Sequence, residues 1–223
     1  MSIRIMVLSL LLVGAARAED GWQALAVEGR EAGLQAEPFE VLLRRCREAG
    51  LSTDDTREIT ENLIQARRSE LPTETVYAKI DEGLAKNIPV RQIVKAAELR
   101  VQVLDQAAAL LAAHRAEDPR GRYGLIRSSA YALESGVPQQ RIAAILISPY
   151  GDRPGRVMAA IEGLETLHAQ NFPAEDAVRL MTSALERGMR RFELSQAVDL
   201  ALRRHGEGAD PAGIRLEPAS PPR

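Results

Sequence analysis

One short pattern recurs along this chain and does most to limit what the chain can fold into. Asn87-Ile88-Pro89-Val90-Arg91-Gln92-Ile93 is matched by Gly136-Val137-Pro138-Gln139-Gln140-Arg141-Ile142 and by Asn171-Phe172-Pro173-Ala174-Glu175-Asp176-Ala177. Glu70-Leu71-Pro72-Thr73-Glu74-Thr75-Val76 follows the same plan with Glu in first place. Looser copies without the proline begin at Gly33, Gly50 and Gly188. Each position has a physical reason. Gly or Asn tolerates the left-handed conformation that closes a helix, and the apolar residue after it packs back on the last turn. Proline cannot continue that helix, but its fixed φ suits the first turn of the next. Thr73 with Glu74, and Ser52 with Asp54 and Asp55, supply side chains suited to free N–H groups at the following helix start. The pattern therefore predicts helix, tight turn, helix.

The spacing is regular. Gly33 to Gly50, Glu70 to Asn87 and Asn171 to Gly188 are each 17 residues, Gly50 to Glu70 is 20, and Gly136 to Asn171 is 35. Between turns the apolar residues return every three or four positions, as in Val76, Ile80, Leu84 and in Ile93, Ala97, Val101, Leu104. That is the helical period, and no stretch between the turns alternates as a strand does. A turn is missing between Asn87 and Gly136, which predicts a long helix over residues 90–115. The expected fold is all-α: tandem short helical hairpins, either α-solenoid-like or an irregular helical bundle. The array is interrupted by Ser148-Pro149-Tyr150-Gly151-Asp152-Arg153-Pro154-Gly155, expected to be an exposed loop. An insertion in a regular array often lies on its binding face, so Tyr150, Asp152 and Arg153 are the candidate partner contacts; a plain spacer is the alternative.

The segment Glu82 to Pro89 (EGLAKNIP) and onward to Ala97 resembles exported bacterial proteins whose helical repeats read Glu-Gly-Leu-Ala-Lys-Gly, apolar, Pro, with Asn87 here in place of Gly. The resemblance covers about a third of the chain and implies a fold type without an activity.

The ends divide the chain further. Arg4, the apolar run Ile5 to Ala15 and Ala16-Arg17-Ala18 form the three parts of a secretory leader, with cleavage expected after Ala18. The run is about half of the roughly twenty residues that span a bilayer; an uncleaved anchor is the alternative. Residues 19–205 are then the helical-repeat domain, and Gly206 to Arg223, rich in Pro and Gly, a disordered tail. Export implies a periplasmic or secreted protein with no membrane span after cleavage.

Composition narrows the function. Loss of Arg4 and Arg17 with the leader takes the net charge from −2 to −4, without the basic excess of nucleic-acid binders. Three of the 29 basic residues are lysines, a skew that suits anion recognition by arginine or follows from a GC-rich genome. Cys46, the single cysteine, cannot pair within the chain, and its spacing from Phe39 and Leu42 makes it a buried small residue; a reactive thiol is the alternative. His114, His168 and His205 form no metal motif; Glu165-Thr166-Leu167-His168 has Glu-x-x-His spacing but lacks the second copy a di-iron site needs. No nucleophile elbow or Walker loop is present, and acidic pairs such as Asp54 with Asp55 or Glu162 with Glu165 occur on ordinary helix surfaces. The reading from sequence assigns no catalytic, cofactor or metal residues. It expects a non-catalytic exported scaffold that binds a protein or peptide. The alternative is an enzyme or small-ligand protein whose site is dispersed over several helices.

Overall fold

The computed structural model describes residues 20–112, 119–148 and 153–214, with the side chains of 119 and 120 left aside. Among these residues there are ten α-helices and no strand. They are α1 (20–31), α2 (Ala36–Glu48), α3 (Thr53–Arg68), α4 (Thr73–Ala85), α5 (Val90–Leu111), α6 (Pro119–Glu134), α7 (Gln139–Leu146), α8 (Pro154–Ala169), α9 (Ala174–Glu186) and α10 (Arg191–Gly206), followed by a 3-10 turn at Pro211–Gly213. The fold is all-α. The leader, residues 1–18, lies outside the described residues.

All seven expected helix stops, Gly33, Gly50, Glu70, Asn87, Gly136, Asn171 and Gly188, have positive φ, from 52° to 87°. At each, two backbone bonds close the helix. At Gly136 the N–H donates to Leu133 O, and the next N–H, of Val137, reaches back to Ala132 O, at 3.0 and 2.9 Å. This is the Schellman pattern, and it recurs with the same offsets at the other six. Proline sits one position earlier than expected. Pro72, Pro138 and Pro173 are the N-cap residues of α4, α7 and α9, with extended backbone, rather than members of the first turn. Proline has no N–H to lose there, while its carbonyl still accepts the first helical bond, as Pro173 O does from Ala177 N. Thr73 is therefore inside α4 and caps nothing, whereas Ser52 and Asp55 do form the reciprocal capping box of α3.

The apolar residue after each stop has two roles. It is C″ of one helix and, one residue before the N-cap, N′ of the next, where a hydrophobic staple reaches N4. N4 lies six residues after the stop. Phe39, Thr56, Val76, Ile93, Ile142, Ala177 and Leu194 occupy these positions, and all are buried. Thr56 keeps its hydroxyl satisfied by donating to Ser52 O at 2.8 Å.

The 17-residue steps contain helices of 13 residues (α2, α4, α9), and the 20-residue step contains the 16-residue α3. The chain divides into two compact units, residues up to Gln102 and from Val103 onward, so the boundary falls within α5. In the first unit α2 packs on α4, and Arg57 of α3 reaches Glu28 of α1 at 3.7 Å. Gly29 of α1 lies directly against the Phe39 ring. In the second unit α6, α8 and α10 pack in sequence, as do α7 and α9. Consecutive helices pack as well, α3 on α4 and α8 on α9, and stacking of such hairpins is the solenoid-like arrangement.

Three expectations need correction. The long helix ends at Leu111 rather than 115, where Ala112 N turns to Ala109 O at 3.2 Å. The interruption is shorter than Ser148 to Gly155, since Ser148 is buried and Pro154 and Gly155 begin α8. The expected tail does not start at Gly206. That residue ends α10, an eighth stop of the same kind follows at Gly208, and six residues later Ile214 is buried. Arg179 of α9 fastens this segment by donating to Ala212 O and Pro211 O, at 2.7 and 3.1 Å.

Candidate functional site

Of the three residues expected to meet a partner, Tyr150 and Asp152 lie outside the described residues. Arg153 is the exposed N-cap of α8. His114 also lies outside the described residues, and the other His and acidic residues weighed as chemistry have structural neighbours. Glu165 accepts from Ser135 Oγ at 2.6 Å, Glu162 accepts from Arg191 at 2.9 Å, and Asp54 pairs with Arg57 at 3.3 Å. His168 is half-buried against the Gly136 turn, and His205 meets the edge of Phe172 with ring centroids 5.1 Å apart. Among the described residues no three His, Cys, Asp or Glu side chains form a metal-holding group.

Cys46 is fully buried, as its place on the Phe39–Leu42 stripe implied. Burial pushes its thiol up to about 11; the Thr56 hydroxyl lowers it a little and the nearby Asp81 carboxylate raises it. A thiol in that state is a poor nucleophile.

A cleft with a volume of about 490 Å³ lies on the first unit, between α2 and α4. Pro38, Val41, Leu42 and Ala78 give it apolar walls, and Glu37, Glu74 and Asp81 give it a carboxylate rim. Gln35 and Thr73 close the end nearest the two helix starts. At the other end Arg45 donates to Asp81 at 2.7 Å. Tyr77 lines the cleft too, and its hydroxyl oxygen is buried with no hydrogen-bond partner. Burial pushes its phenol up to about 12. A buried hydroxyl left unmatched costs about 1–3 kcal/mol, which a ligand group of the right polarity recovers. The lysines of this stretch point their charge elsewhere. Lys86 and Lys79 both bond to Glu82, at 2.6 and 3.1 Å, and together hold that exposed carboxyl down at about 2.

Comparison of the chain with known protein families, curated proteins and solved structures gives no match. The site's chemistry therefore rests on its own residues.

Two smaller clefts show different characters. One, of about 410 Å³ between α1 and α2, brings Trp22, Arg44 and Arg47 together, with the Arg47 guanidinium 5.0 Å from the Trp22 ring centroid. The other, of about 250 Å³ between α8 and α10, is polar and is crossed by the Arg191–Glu162 pair.

The α2/α4 cleft was not among the sites expected from the sequence, although the sequence carries a signal for it. Glu37 and Glu74 each stand four residues after a helix stop, Gly33 and Glu70, and so hold the same place in successive hairpins. A repeat that stacks every second helix sets such positions side by side.

Proposed function

We propose that this protein is an exported, non-catalytic helical-repeat scaffold that holds a segment of another protein in the periplasm. On this reading it belongs with the exported repeat proteins that the Glu82–Ala97 segment resembles. The leader supports export, and among the described residues no helix is long and apolar enough to cross a membrane.

The observation that carries the binding role is the α2/α4 cleft. Helices of one layer run side by side there, and their facing first turns leave a furrow with apolar walls and a polar rim. Such furrows are where stacked helical hairpins commonly take their ligands. The acidic pairs weighed as catalytic have structural partners: Glu162 and Glu165 reach Arg191 and Ser135, and Asp54 and Asp55 pair and cap within the first turns of α3.

In-cell photocrosslinking tests this. A photoreactive residue in place of the exposed Ala78 at the cleft should give one or a few discrete adducts in the cell envelope, each joined through a single segment of its partner. The same residue at Glu175, exposed on the second unit, should give none. N-terminal sequencing of the same protein should read Glu-Asp-Gly-Trp. Retention of Met1, or identical adduct patterns from both positions, overturns the proposal.

A further inference from the structure

Resting on that reading, we infer that the α2/α4 cleft takes a lysine or arginine side chain presented by the bound segment. Glu37, Glu74 and Asp81 line the cleft, and no basic residue lines it. Arg45, bonded to Asp81, offsets one of the three carboxylates. Glu37 and Glu74 lie in the first turns of α2 and α4, where each helix start contributes roughly half a positive charge. The dipoles thus offset about one more carboxylate, and the cleft stays negative by about one unit. An acidic segment is repelled and a cation is held.

Shape and polarity select the kind of cation. Pro38, Val41, Leu42 and Ala78 offer apolar wall, against which the methylene stem of lysine or arginine lies while its charged head meets the carboxylates. The Tyr77 hydroxyl completes the set. Enclosed and with no partner within the protein, it accepts a hydrogen bond from the ammonium or guanidinium once the head group displaces the side chains that cover it. A charged donor makes that bond stronger than a neutral one would. Glu37 and Glu74 face the same furrow from equivalent positions of two hairpins, so the head group is approached from both sides.

The test is a selection of random twelve-residue peptides displayed on phage, made against the full mature protein. Selected peptides should be enriched in Lys or Arg flanked by apolar residues. Replacing the basic residue by norleucine should weaken binding at least tenfold, and binding should fall as salt rises. The double variant Glu37→Gln, Glu74→Gln should lose at least tenfold affinity, with unchanged helicity and a melting temperature lowered only slightly by the lost dipole interactions. Tyr77→Phe, which removes the unmatched hydroxyl, should lose about threefold with a melting temperature that does not fall. Peptides without a basic bias, or ones that bind the double variant equally well, overturn the inference, and so does a selection that returns no binder. Displacement of the peptides by micromolar spermidine also overturns it, because it assigns the cleft to a free amine. The Ala78 crosslink separates the two readings. An adduct that persists in the double variant keeps the scaffold and removes the cation.

Discussion

Helices α2 and α8 are built on the same turns and end in different surroundings. On α2 the buried residues are Phe39, Leu42, Leu43 and Cys46, which span an arc of about 100° at 3.6 residues per turn. On α8 they are Val157, Ala159, Ala160, Ile161, Gly163, Leu164 and Leu167, an arc of about 200°. The consequence is visible in packing. Helix α8 meets α6, α7, α9 and α10, whereas α2 packs on α4, meets α1 where Gly29 lies against Phe39 and α3 where Thr56 reaches Cys46, and leaves its wide polar face to water. Small residues make the crowding around α8 possible. A Cβ on Gly163 would stand 2.6 Å from Met181 Sδ and 3.1 Å from Val198 Cγ2. The width of the apolar arc, more than the turn chemistry, decides whether a helix is surrounded or forms one wall of a furrow.

The comparison breaks most readily in the core. Leu164→Ala removes a fully enclosed side chain and should cost about 4 kcal/mol, near the upper end for such truncations. Leu43→Ala, at the edge of the narrower stripe, should cost about 2 kcal/mol because water and neighbours refill the space. Urea unfolding of both variants measures this, and equal losses would mean the two helices are enclosed alike.

The turns give an effect of intermediate size and should not distinguish the two units. In the second unit, Gly136→Val forces a β-branched residue to φ near +87° and should lower stability by about 1–2 kcal/mol, with Gly136→Asn costing less. In the first, Glu70 already holds φ of 53° without glycine. Glu70→Gly should therefore stabilise by up to about 1 kcal/mol, the relief of strain outweighing the added chain entropy. Equal melting temperatures for the Val and Asn variants would refute the left-handed turn at Gly136.

The smallest effect is confined to the first unit and to alkaline pH. The Cys46 thiol is raised from 9.0 to about 11 on folding. Its contribution is complete below pH 9, where both states keep the proton, and is lost as pH rises toward 11, because the unfolded chain ionises first. Tyr77, raised from 10.0 to about 12, extends the loss over the next pH unit. Stability measured by denaturation from pH 8 to pH 11 should fall, and Cys46→Val should flatten the first part of that fall. An unchanged slope in the variant would show that the thiol is not desolvated.

The sequence by itself determined the stops and starts of the helices. A left-handed residue, an apolar residue, a proline and a buried residue at the sixth place act within about two turns of chain, so their energetics are decided before any distant segment arrives. For that reason seven stops were legible at residue resolution, and so was the burial of Cys46 on its stripe. The limits of the local pattern were visible too. The eighth stop at Gly208 lies in a stretch whose Pro and Gly content resembles a tail, and Ile214 and the Arg179 bonds reveal it as part of the domain. Tertiary structure alone decided which helices stand side by side. Glu37 and Glu74 line one cleft, Arg45 reaches Asp81, and the Tyr77 hydroxyl loses water, because α2 and α4 come to lie side by side. No local preference encodes that register, which follows from how wide each apolar arc is and where its neighbours come to rest.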